Sequence, residues 1–177
     1  MSREVVEAPM YSLSVPLQEV DSSWVGGADN WPLHVTLVPD FRLLKNVGLD
    51  DLLLLCRSMA EGQGPFYVNF GELQDGFGTK PVQLVEGPNR AQILALHTSA
   101  MGKLKSIGFE LANSDWVGES YNPHTSVENE IDSRLRIVAN SVMLVKKVDY
   151  DSGTTKEIVD VWRLGKDGEQ ARILRNI

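Results

Sequence analysis

The chain has 177 residues, 42% hydrophobic and 23% charged, which suits one domain with a substantial core or two closely fused lobes. Its 17 lysines and arginines against 24 aspartates and glutamates leave a net charge of −7 and no dense basic cluster; this argues against a grip on long duplex nucleic acid, where phosphate neutralisation supplies much of the affinity. No apolar run reaches the ~18 residues needed to span a bilayer, MSREVVEAP does not read as a secretory signal, and the single cysteine, Cys56, excludes an intramolecular disulfide and points to a reducing, cytoplasmic setting.

In chain order, Met10 to Leu17 alternates as a strand does and leads into a loop rich in Asp, Ser and Gly that runs to about Asn30. PLHVTLVPDF follows as a second strand bracketed by Pro32 and Pro39, with Leu33, Val35 and Leu37 on one face and His34, Thr36 and Val38 on the other. Asp50 is a candidate cap for a helix that closes at Gly62, its apolar stripe made by Leu52, Leu55, Cys56 and Met59. FYVNFGEL, KPVQLVEG and AQILALH predict three strands separated by glycine turns, the last ending at His97, after which Thr98 or Ser99 would cap a second helix ending before Gly108. Pro123 holds Asn122 extended ahead of the strand PHTSV. RIVANSVMLVKKVDY and TTKEIVDVWRL predict a closing hairpin about Asp151-Ser152-Gly153. Antiparallel hairpins with two helices imply an α+β fold, and two halves that each combine strands, a helix and a His-x-Thr/Ser strand imply a duplicated, two-lobed domain over 1–177 with a central cleft.

Those strands carry the chemistry. His34-Val35-Thr36 and His124-Thr125-Ser126 each put an imidazole and a hydroxyl two residues apart, hence on one face of a strand. Two such pairs facing across a cleft supply a general base, a general acid and two hydroxyl donors for a phosphate, which suffices for phosphodiester chemistry without a metal or another cofactor. His97-Thr98-Ser99 has the same spacing, but a place at a strand–helix junction explains it better. The acidic run Glu128 to Asp132 lacks the spacing of a zinc site with histidine, and no phosphate-loop or dinucleotide-binding glycine motif is present.

LHVTLV and NPHTSV together resemble the paired motifs of the two-histidine (2H) phosphoesterase superfamily, as do the roughly 90-residue gap between them, the helix after the first and the closing hairpin. The chain departs from the family pattern in having Leu33 rather than proline before the first histidine, Ser126 in place of threonine, and a second helix that looks short. The resemblance implies a hydrolase with His34 and His124 as acid and base and with Thr36 and Ser126 binding the phosphate, acting on a small cyclic phosphate or a 2′-5′-linked or cyclic oligonucleotide. Trp116 and Tyr121, just ahead of the second motif, are candidates to stack a base. A non-catalytic nucleotide-binding module of the same fold and an RNA-end processing enzyme are the alternatives. Neither a membrane nor long duplex nucleic acid is expected as a partner.

Overall fold

The structure, a computed structural model, describes residues 8–26, 31–76, 80–150 and 153–165. Its elements run β1 (Met10–Pro16), β2 (Val25–Gly26), β3 (His34–Leu43), α1 (Leu49–Glu61), β4 (Phe66–Gln74), β5 (Val82–Glu86), α2 (Arg90–Ile107), β6 (Phe109–Leu111), a 3-10 turn at Gly118–Ser120, β7 (His124–Ser126), β8 (Ile137–Ala139), β9 (Ser141–Tyr150) and β10 (Gly153–Arg163). The strands form a six-stranded sheet in the order β2-β10-β9-β1-β3-β6 and a four-stranded sheet in the order β7-β5-β4-β8. Every pairing is antiparallel. The fold is α+β, as expected, and each motif lies on a different sheet.

Alternation decides which face of the larger sheet is buried. Leu13, Val15, Val35, Leu37, Phe41, Val142 and Leu144 turn inward and join the apolar sides of both helices, including Leu52, Cys56, Ile93 and Leu104, in the main core. Phe41 meets Phe109 edge-on at 5.9 Å between ring centroids. The other face carries His34 and Thr36. A smaller cluster there, made by Val20, Met143, Val145, Ile158 and Val161, holds Trp24 and Trp31 against β9 and β10. Burial pushes the Cys56 thiol well above its ordinary pKa, consistent with a packing role. Among the described residues no helix is long and apolar enough to cross a membrane.

Three expectations are corrected. AQILALH is not a strand: it forms the first turns of α2, an 18-residue helix that is therefore not short. Ile93, Leu96, His97, Ala100 and Leu104 are its buried residues, and their spacing of three, one, three and four is helical. Thr98 and Ser99 thus lie inside the helix, and the N-cap position belongs to Asn89. At α1 the cap position is Gly48 rather than Asp50, and the Asp51 carboxylate accepts the Gly48 N–H at 2.9 Å. RIVANSVMLVKKVDY is not one arm of a hairpin. It divides at Asn140, β8 pairing with β4 in the small sheet and β9 with β1 and β10 in the large one. The β9–β10 hairpin is present, with Gly153 opposite Tyr150; of its expected turn, Asp151 and Ser152 lie outside the described residues.

Candidate functional site

His34 opens β3, and His124 opens β7, an edge strand of the small sheet. The two imidazoles are held alike. His34 Nδ1 lies 2.8 Å from the Pro32 carbonyl oxygen and His124 Nδ1 lies 2.8 Å from that of Asn122. A carbonyl can only accept, so each Nδ1 carries the proton, and Nε2 is the position from which each ring can act. Both bonds run back two residues, and in each case a proline (Pro32 and Pro123) lies within the two residues ahead of the histidine.

Burial pushes the pKa of His34 down to about 4; the Pro32 bond opposes this, and the charges of Lys156 and His124 add to it. The influence of His124 on His34 brings the two motifs, 90 residues apart, into one electrostatic neighbourhood. Thr36 is half-buried on the His34 face of β3, and Ser126 is exposed beyond His124. Thr125, between the two site residues of β7, points the other way and is 1% exposed.

The link between the sheets is direct. Tyr121 donates its hydroxyl to the Thr36 carbonyl at 2.9 Å, tying the approach to the second motif to the backbone of the first. Its ring lies flat on His97, with centroids 3.8 Å apart and planes 10° from parallel. His97 Nδ1 donates to the Leu37 carbonyl at 2.7 Å, and His97 Nε2 accepts the Gly118 N–H at 2.9 Å. Regular pairing between β1 and β3 shifts between Ser14–Thr36 and Leu13–Val38, so the carbonyls of Thr36 and Leu37 both reach partners outside the sheet. Tyr121 is 9% exposed, whereas Trp116, on the loop held by Gly118, is 43% exposed.

Several residues about the site carry no signal in the local sequence pattern. Arg90, at the start of α2, donates to the Val85 carbonyl and to Asn122 Oδ1, both at 2.9 Å, and so steadies the residue whose carbonyl holds His124. Lys156 on β10 stands 5.5 Å from the centroid of the Trp31 ring. Lys147 on β9 pairs with Asp40 on β3. Apart from the Arg90–Val85 bond, these contacts join strands and loops far apart in sequence, so spacing cannot reveal them. Among the described residues no group of three or more histidine, cysteine or acidic side chains is arranged to hold a metal ion.

A family model described as the 2′-5′ RNA ligase superfamily matches residues 9–167. Among solved structures, one described as a phosphoesterase is 14% identical, with 90% of this chain and 99% of that chain covered at a TM-score of 0.56. Escherichia coli LigT complexed with 3′-AMP is 14% identical over 89% of this chain and 98% of its own, with a TM-score of 0.53. The same protein complexed with ATP is 13% identical over 90% and 99%, at 0.54. At these identities the likeness is one of fold. No curated protein matches the chain.

Proposed function

The chain belongs to the 2′-5′ RNA ligase superfamily, the two-histidine phosphoesterases, and from that premise we propose that it is a metal-independent phosphodiesterase acting on a small cyclic phosphate or on a 2′-5′-linked or cyclic oligonucleotide. The observation that carries this reading is the matched pair of imidazoles, each held through Nδ1 by the carbonyl two residues upstream and each followed by a hydroxyl residue on the same strand face. His34, kept neutral by burial and by neighbouring positive charge, takes the proton from water or a ribose hydroxyl as that oxygen attacks phosphorus. His124 gives its proton to the departing oxygen, so the two rings exchange protonation states in one turnover. The hydroxyls of Thr36 and Ser126 donate to the non-bridging oxygens, where negative charge builds. Trp116, exposed ahead of the second motif, is the candidate to stack a base. Tyr121, stacked on His97, acts as a positioning residue. The structures of LigT with 3′-AMP and with ATP support a nucleotide as ligand for this fold.

The test is a screen of the purified protein in EDTA against 2′,3′-cyclic mononucleotides, 2′-5′ oligoadenylates and cyclic di- and trinucleotides. Cleavage of at least one class is expected, with His34→Ala and His124→Ala each losing roughly 10²–10⁴-fold in kcat while staying folded. Activity that vanishes in EDTA and returns with a divalent ion would overturn the mechanism. Binding without turnover would favour the non-catalytic module.

A further inference from the structure

The site face of the large sheet contains an electrostatic mismatch that the two motifs do not use. Lys156 on β10 and Lys147 on β9 stand directly opposite each other in the antiparallel ladder, where like charges repel at close quarters. The next pair along, on the other face, is matched: Lys146 and Glu157 form an ion pair at 3.1 Å. Among the described residues Asp40 is the acidic group on this face that answers the two lysines, and its carboxylate is engaged by Lys147. Lys80, two residues ahead of β5, adds a third positive charge that acts on Lys156 and has Glu128 at 3.6 Å. Among the described residues Lys156 forms no salt bridge. Its ammonium lies over Trp31, partly withdrawn from water, and its charge reaches His34. A surplus cation, partly desolvated beside a reaction centre and braced by an aromatic ring, is an arrangement that an anion would stabilise.

Resting on the phosphodiesterase reading above, we propose that Lys156, braced by Trp31 and backed by the Lys147–Asp40 pair, is a second anion subsite that takes a phosphate of the substrate other than the one being cleaved. The preferred substrate then carries at least two phosphates. A linear or cyclic oligonucleotide, or a cyclic phosphate with a further terminal phosphate, fits this; a cyclic mononucleotide with a single phosphate leaves Lys156 unanswered.

Equilibrium binding tests the subsite without requiring turnover. Calorimetric titration with adenosine 3′-monophosphate and adenosine 3′,5′-bisphosphate compares two ligands that differ by one phosphate. The native protein is expected to prefer the bisphosphate by about tenfold, the scale of one charge-assisted contact. Lys156→Met, which keeps an aliphatic stem on Trp31, should abolish that preference with little change for the monophosphate, and Lys156→Arg should retain most of it. No preference in the native protein, a preference that survives Lys156→Met, equal weakening of both ligands, or no binding of either overturns the subsite. Failure of the parent reading shows elsewhere, as diester cleavage that persists in His34→Ala.

Discussion

The three histidines share a hydroxyl two residues on, yet their surroundings give them different work. His97 is 3% exposed, with one ring nitrogen donating to Leu37 and the other accepting from Gly118. That arrangement requires a neutral ring, and burial lowers its pKa accordingly. Because the folded pKa lies below the unfolded one, the contribution of His97 is fully present above the unfolded value of about 6.5 and is lost as pH falls below it. His97→Ala should cost about 2 kcal/mol in chemical denaturation at pH 7.5, with a smaller penalty at pH 5. Its effect on kcat should be smaller than that of His34→Ala, because His97 positions both motifs and touches no reacting atom. His34 makes a separate prediction. If it is the base, the acidic limb of kcat/KM should fall near pH 4, where His34 becomes protonated in the free protein. A limb near 6.5 would transfer the role to another group.

At the scale of elements, the strands with long alternation were legible in the sequence, and so was the first helix with its glycine stop. The first turns of α2 were not, because Ile93, Leu94 and Leu96 interleaved with alanine imitate a strand over a window of seven residues. Only the longer series to Leu104 reveals the helical period. β6 and β8, three residues each, are too short to carry any period. The two motifs were visible because each is local, whereas the Tyr121–Thr36 contact joins positions 85 apart. Removing that contact alone tests how the motifs are aligned. Tyr121→Phe keeps the ring on His97 and deletes one hydrogen bond, so stability should drop by about 1 kcal/mol. If the bond aligns the two half-sites, kcat should fall more than KM changes, measured on whichever diester the screen identifies.

At the scale of the whole molecule, charge and size bear on the choice of substrate. With a net charge of −7, the surface offers little to a long polyanion beyond the few lysines on the sheet face that carries His34. Cleavage of a small diester should therefore persist in excess single-stranded RNA of mixed sequence. Strong inhibition by that RNA, fading steeply with added salt, would instead favour an RNA-end processor.

The placement of the second motif on a three-residue edge strand has a consequence for how the protein fails. β7 is three residues long and pairs only with β5, whereas β3, which opens with the first motif, runs ten residues, pairs with β1 through the motif and buries Val35 and Leu37 in the main core. Local opening follows the least supported contacts, and short edge strands fray at a lower free energy than the global fold. Heat or urea should thus separate the two half-sites while the rest of the protein remains native. Activity is expected to vanish at a lower urea concentration than the loss of far-ultraviolet circular dichroism, and backbone amides of 124–126 should exchange with deuterium sooner than those of 35–38. Coincident transitions would mean that the small sheet and the large one unfold as a single cooperative unit.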